Sequence, residues 1–280
     1  NTISLIDSQA FYGCSELTSI TLNEGLTLIG TGAFSSCVLL NNVTLPSTLL
    51  TINASAFSYC IALTSLTLPS SLTTLGSNVF ANCRLLSAIN VGEGNTSFSA
   101  IDGVLFNVDA TSLITYPVAK IDPTYSVPAT VTTITSFAFR YNPYITTINL
   151  PSSVATIGDY ALSNCHALSA ILVDSANPNL SSLDGVLFNK DVTTLIAYPA
   201  GKTTSDYAVP ASVTTIISAG IAYNPHITTL YIPDTVTTIM SHGINSCPNL
   251  SIYCQASVKP LSWHDSWNAS ASPVTWAYII

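Results

Sequence analysis

Charge is what this chain has least of. Asp, Glu, Lys and Arg make up 7% of its 280 residues, against roughly 25% in ordinary soluble proteins. Only six residues are Lys or Arg, the formal net charge is −8, and the cations (Arg84, Lys120, Arg140, Lys190, Lys202, Lys259) are scattered. Binding nucleic acid requires a basic stripe to neutralise phosphates, so a nucleic-acid partner is excluded. An anionic membrane surface is disfavoured for the same reason. No apolar run approaches the ~20 residues of a spanning helix, so no membrane insertion is expected. No cationic leader with an apolar core precedes the first repeat either. Tryptophan is missing until Trp263, Trp267 and Trp276. In place of charge stand Thr, Ser and Asn, a composition that suits exposed β-structure in an exported protein. Hydrophobic residues make up 48% of the chain, enough for a continuous core.

What is present is repetition, the feature to seek first in any sequence. Cys14, Cys37, Cys60 and Cys83 recur every 23 residues. Each sits in the frame A-F-x-x-C-x-x-L-x-x-I-x-L, clearest from Ala56-Phe57 through Cys60, Leu63, Leu66 and Leu68 to Pro69. The frame returns at Asn142, Cys165, Asn224 and Cys247, at gaps of 59, 23, 59 and 23 residues. Each gap of 59 is one 23-residue repeat plus a 36-residue insert.

Within a repeat, Leu66 and Leu68 alternate with Ser65 and Thr67, the period of a strand with one buried face. Proline closes that strand at Pro46, Pro69, Pro151 and Pro233, where its missing N–H suits a boundary. A second short strand follows (Leu72 to Leu75, Val154 to Ile157). A turn or single helical turn then carries the Ala-Phe pair, whose phenylalanine plugs the coil. One coil cannot bury its own Leu, Ile and Phe; stacking coils ~4.8 Å apart in a parallel sheet buries them all. Crossovers between parallel strands are right-handed for steric reasons. The expected fold is therefore a mostly-β, right-handed solenoid of the α/β superhelix type. A parallel sheet forms one face, with short second strands and single helical turns on the other.

The inserts, at about 92–127 and 174–209, copy each other: Asp102-Gly103-Val104-Leu105-Phe106-Asn107 matches Asp184-Gly185-Val186-Leu187-Phe188-Asn189. Each reads as a β-hairpin around a polar turn (Asn107 to Ser112, Asn189 to Thr194) standing proud of the coils. Residues 1–250 are expected to form the solenoid and 251–280 a C-terminal cap, whose three tryptophans cover the last coil. Asn1 to Ile6 read as the second half of a repeat, so a signal sequence, a cap or earlier repeats are expected upstream.

With this frame laid out, the chain resembles the BspA-like leucine-rich-repeat family of bacterial surface proteins. The D-G-V-L-F-N inserts at Asp102–Asn107 and Asp184–Asn189 are similar to those interrupting many members. The segment Tyr253-Cys254-Gln255-Ala256, with Trp263 and Ser266-Trp267-Asn268, resembles the family's frequent C-terminal sequence in anaerobic bacteria. The resemblance implies a leucine-rich-repeat solenoid in a secreted or cell-surface protein. It also implies a non-catalytic interaction module, some members being adhesins for host matrix proteins or partner cells. A polysaccharide-binding or rigid spacer segment of a larger cell-wall protein is the alternative.

No residue set in the frame makes a convincing reactive site. Zinc sites use closely spaced ligand pairs, whereas the cysteines are a column of single residues. Cys165 stands between Asn142 and Asn224 in that column, which points to a small buried side chain bonding a turn rather than to a disulfide. His166, His226, His242 and His264 fall at unrelated places in the frame. Asp102 and Asp184 each open a D-G turn, and one Asp per hairpin tip (Asp109, Asp191) is too few for calcium. Carboxylates paired for glycoside hydrolysis would have to come from different coils. A Thr ladder (Thr51, Thr74, Thr133, Thr156, Thr215, Thr238) reads as exposed strand residues rather than as an ice-binding row. No cofactor or metal is expected, and the chain reads as no enzyme.

Binding residues are sought on the sheet face. One outward column (Ser19, Asn42, Ser65, Ala88, Thr147, Ala170, Thr229) is neutral. The next (Thr21, Thr44, Thr67, Asn90, Asn149, Leu172, Tyr231) holds a single aromatic, Tyr231, of the kind that dominates interfaces. A third column, one residue before Cys or Asn, holds Tyr59, Tyr141 and Tyr223 at 82-residue intervals. These four tyrosines are the candidate contacts for a protein ligand, either a host matrix or a cell-surface protein; a glycan is the other partner considered.

Overall fold

The computed structural model describes residues 3–279; Asn1, Thr2 and Ile280, the first two of which belong to the half-repeat expected at Asn1 to Ile6, lie outside them. Two compact units are present, Asn1–Ile121 with Ile134–Tyr141, and Asp122–Thr133 with Asn142–Ile280.

In the first unit the short strands Leu5–Ile6, Leu28–Ile29, Thr51–Ile52 and Thr74–Leu75 form one parallel sheet. Leu5 lies opposite Leu28, Leu28 opposite Thr51, and Thr51 opposite Thr74, so the sequence period is the pairing register. The opposite side pairs Ser19–Thr21 with Asn42–Thr44, and Ser65–Leu68 with Ala88–Val91, also in parallel. Burial along Ser65–Leu68 alternates as the period of two requires: Ser65 and Thr67 are exposed, Leu66 and Leu68 buried. Between these two sides lie Phe34 and Phe57, fully buried, stacked 5.3 Å apart and within 5° of parallel.

The second unit repeats the plan. Thr194–Ala197, Thr215–Ile216 and Thr238–Ile239 pair in parallel. On the opposite side one sheet joins Thr124–Ser126, Thr147–Leu150 and Ala170–Val173. Another joins Asp206–Ala208, Thr229–Ile232, Ser251–Cys254 and Val274–Thr275.

The Ala-Phe segment differs from the single helical turn expected there. No described residue is helical. The segment is instead a chain of turns in which two positions per coil have positive φ. The first is occupied by Gln9, Gly32, Ser55, Asn78, Phe137, Tyr160, Ala219 and His242, and the second by Gly13, Ser36, Tyr59, Asn82, Tyr141, Asn164, Tyr223 and Ser246. Left-handed residues between right-handed ones aim every second N–H along the stack. Thus Gly32, Phe34 and Ser36 donate to the carbonyls of Ala54, Ala56 and Ser58, at 2.8–2.9 Å. A left-handed conformation costs a residue with a side chain roughly 1–2 kcal/mol, and this ladder between coils offsets the cost.

The inserts also depart from expectation. The hairpins are present, but each has a third strand: Phe98–Ile101, Val104–Asn107 and Ser112–Thr115 run antiparallel, as do Leu180–Leu183, Val186–Asn189 and Thr194–Ala197. They do not stand proud. Val104, Leu105, Phe106 and Leu113 are fully buried, as are Val186, Leu187, Phe188 and Leu195. The D-G steps behave as turns: Gly103 has φ +76°, and a Cβ there would lie 2.8 Å from the Ala88 Cβ.

Candidate interaction surface

The parallel register of the second unit builds an aromatic cluster that the strand pattern only half announced. Tyr231 lies directly opposite Tyr253, and their ring centroids are 5.6 Å apart. Tyr278 closes the group, 5.5 Å from Tyr231 and 5.0 Å edge-on from Tyr253. Its backbone is anchored by an N–H donated to the Cys254 carbonyl at 2.9 Å. All three rings are half-buried, so they cover one another while leaving edges and hydroxyls at the surface. Packing among the rings raises the Tyr231 phenol, with the neighbouring Tyr278 and Asp206 adding to the shift. The Asp206 carboxyl is held low by hydrogen bonds from Thr229 and Ser205. At neutral pH the patch thus sets the uncharged Tyr231 phenol beside a negative charge fixed at Asp206.

Of the other tyrosines singled out by sequence, Tyr59 is exposed, while Tyr141 and Tyr223 are half-buried. All three occupy the second left-handed position of their coil, with φ of 59°, 73° and 60°. Tyr59 and Tyr223 donate their N–H groups to the carbonyls of Ala81 and Asn245. In the first unit the Arg140 guanidinium lies over the Tyr141 ring at 4.5 Å and the Phe137 ring at 5.3 Å. Reasoning from sequence missed Tyr253, Tyr278 and Arg140. Tyr253 was legible one register step after Tyr231; Tyr278 lies beyond the last repeat, where no period applies.

The cysteine column is structural. Cys37, Cys60 and Cys83 donate their thiols to the carbonyls of Phe11, Phe34 and Phe57 at 3.0–3.2 Å. None of the seven cysteines, all of them described, is in a disulfide. Where asparagine replaces cysteine it does the same work with more bonds. Asn224 donates to the carbonyls of Pro199 and Lys202, and accepts from the amides of His226 and Ile227. Among the described residues no group of three or more His, Cys, Asp or Glu is placed to hold a metal ion. Nor do the described residues include a helix long and apolar enough to cross a membrane.

Past residue 250 the chain hydrogen-bonds to the coil that holds His242 and Ile244. The N–H groups of His242 and Ile244, which in an inner coil would bond the next coil, donate instead to the carbonyls of Ser266 and Trp267, at 2.9 and 2.8 Å. The Ser246 N–H donates to the Ser270 hydroxyl. Trp263 and Trp267 are buried, their rings 4.7 Å apart. The Trp263 Nε1–H donates to the Val236 carbonyl at 3.0 Å.

Stacked coils with a 23-residue register, a column of Cys or Asn and a Phe plug define a leucine-rich-repeat protein. The chain belongs to the BspA-type leucine-rich-repeat family, whose repeat region matches residues 1–106 and 123–251 in six copies. It is 31% identical to a leucine-rich cell-surface protein of Faecalibacterium prausnitzii, over 95% of this chain and 65% of that one, with a TM-score of 0.67. It is 25% identical to the pneumococcal vaccine antigen PcpA, over 99% of this chain and 72% of that one, with a TM-score of 0.70. A leucine-rich-repeat protein of Eubacterium ventriosum shares the fold alone, at 19% identity over 99% of this chain and 81% of that one, with a TM-score of 0.56. The chain therefore spans just under two thirds of the F. prausnitzii protein's length. No curated protein sequence matches it significantly.

Proposed function

We propose that this chain is an adhesin-like, extracellular protein-interaction module, acting by binding rather than catalysis. The observation that carries this reading is the Tyr231–Tyr253–Tyr278 cluster on a sheet face of few charges, with Asp206 beside it. Tyrosines packed against each other are preorganised, so little side-chain entropy is lost when a partner covers them, and aromatic anchors of this kind dominate interface energetics. Cell-surface relatives support the placement outside the cell. The partner is a protein of a host matrix or neighbouring cell.

The test is surface binding of the chain to immobilised matrix proteins and cell-wall glycans at two salt concentrations. Saturable binding to a protein, weakened at least tenfold by Tyr231→Ala with Tyr278→Ala, is the expected result. The contact is largely uncharged, so raising the salt should change the affinity little. The Tyr59→Ala, Tyr141→Ala, Tyr223→Ala triple variant measures whether that column contributes. Binding to glycans alone would replace this reading with the polysaccharide-binding one. Binding to a protein that the double variant leaves unchanged would remove the cluster from the interface.

A further inference from the structure

The register of the sheet that carries the tyrosine cluster leaves one ring face uncovered. Ala208 lies opposite Tyr231, and Asp206 opposite Thr229. Side chains two apart on a strand share a face, so Asp206, Ala208, Thr229 and Tyr231 all stand on the outward side. Tyr231 therefore has Tyr253 beside it in one direction and only the Ala208 methyl group in the other. Asp206 and Ala208 are exposed. Together they make a shelf, with Ala208 as its floor, the Tyr231 ring as its wall and the Asp206 carboxylate at its end. Burial, Tyr278 and then Asp206 raise the Tyr231 phenol, so the carboxylate lies within electrostatic reach of the ring.

Among the described residues of the second unit that carboxylate has no cation. Hydrogen bonds from Thr229 and from the Ser205 hydroxyl, the latter at 2.8 Å, hold it ionised. The unit's lysines are engaged elsewhere. Lys190 Nζ donates to the Asn177 carbonyl at 2.6 Å, Lys202 pairs with Asp184 at 3.0 Å, and Lys259 pairs with Asp265 at 2.7 Å. The same strands occur 82 residues earlier without the shelf. Thr124, Ser126 and Asn149 stand there in place of Asp206, Ala208 and Tyr231, and Asn149 Nδ2 donates to Ser126 Oγ at 3.0 Å. The acid and the aromatic wall are thus absent together from one copy and present together in the other. Neither is needed to build the sheet.

We propose that this shelf takes an arginine side chain of the protein partner, which rests on the interaction-module reading and gives its partner a chemistry. The guanidinium lies flat against the Tyr231 ring, a cation–π contact, and its N–H groups fork onto the Asp206 carboxylate. Arginine suits the site better than lysine because its planar head stacks and forks at once. A quaternary ammonium is held instead by a cage of aromatic faces. The three rings here, with centroids 5.0–5.6 Å apart, are in contact with one another and leave no room for a cation between them. One ion pair set against an aromatic wall is screened less than an open surface pair, so it adds little to the salt dependence of the whole contact.

Nuclear magnetic resonance of the whole chain, with labelled tyrosine rings and alanine methyl groups, tests it by titration with N-acetyl-arginine amide, N-acetyl-citrulline amide and tetramethylammonium chloride. The arginine amide should shift the Tyr231 ring and Ala208 methyl signals and saturate in the millimolar range expected of one side chain. Citrulline, which keeps the shape and loses the charge, should bind at least fivefold more weakly. Asp206→Thr and Tyr231→Asn, which copy the earlier strands at surface positions, should each weaken arginine binding at least threefold, read at the Ala208 methyl; circular dichroism confirms that both fold. In a second arm, a matrix protein that binds the chain is blocked at its arginines with phenylglyoxal or at its lysines by acetylation. Only the arginine block should weaken binding, by at least tenfold. If no matrix protein binds, the interaction reading fails while the titration still decides the shelf. Binding that survives the arginine block leaves that reading standing and overturns the arginine site. No shift with the arginine amide, equal binding of citrulline, tighter binding of tetramethylammonium, or full binding by folded Asp206→Thr would each overturn it as well.

Discussion

Replacing Asn224 by alanine should destabilise the second unit far more than the loss of one surface polar group would. Asn224 is fully buried and makes four hydrogen bonds. Nδ2 donates to the carbonyls of Pro199 and Lys202 at 2.9 and 2.8 Å. Oδ1 accepts from the amides of His226 and Ile227 at 2.7 and 2.9 Å. Alanine removes all four and frees none of the backbone groups from the interior. A buried donor or acceptor left without a partner costs about 1–3 kcal/mol. Two of the four contacts are buried and two part-buried; if water reaches the latter, the net loss is still about 2–6 kcal/mol. Asn224→Cys should be milder, because Cys247 fills the same position one coil later and donates its thiol toward the Ile221 carbonyl. Urea unfolding followed by tryptophan fluorescence reads the effect where it matters, since all three tryptophans lie in the second unit. A loss below ~1 kcal/mol for Asn224→Ala would refute the reasoning, because it would mean that these backbone groups find other partners at little cost.

Phe57→Ala removes a fully buried ring stacked between Phe34 and Phe80; a loss of about 3–5 kcal/mol is expected in denaturant unfolding of the first unit. Trp263→Ala should uncover the last coil, seen as faster amide exchange at His242 and Ile244 while the first unit's exchange stays unchanged. Burial pushes the Cys83 and Cys165 thiols up to about 12. At about pH 8 an alkylating agent should therefore label exposed Cys14 first, and reach Cys83 and Cys165 only after denaturation, as mass spectrometry will show. The same shifts make stability depend on pH. The folded state holds these protons more tightly than the unfolded chain, so their contribution is complete below the ordinary thiol value. It is lost by about 1.4 kcal/mol per pH unit per thiol as pH rises from ~8.5 toward the folded value. Replacing both residues by serine should flatten that decline, and a decline unchanged by the replacement would exclude the thiols as its cause.

The coil period, the residues facing inward and the pairing register were all legible in the sequence. Once Leu66 and Leu68 alternate with Ser65 and Thr67, a shift of one residue would turn the apolar face to water, so burial enforces the 23-residue register. The exchange of Cys for Asn in one column likewise announced a side chain bonding the backbone. The left-handed positions were not legible, because they hold Phe137, Tyr160 and His242 rather than glycine; bonds to the next coil, not local preference, impose their backbone. The depth of the inserts was hidden too, since Val104 to Phe106 read equally well as a projecting hairpin or a buried strand. The tyrosine cluster joins residues 22 and 47 positions from Tyr231, and Tyr278 reaches it through an irregular segment. The two inserts and their surrounding coils are near copies in sequence, yet one encloses about 430 Å³ and the other about 20 Å³. Periodicity determines which side chains point into a coil. Whether those side chains fill the space depends on volumes contributed by segments tens of residues apart, which only the packed structure brings together.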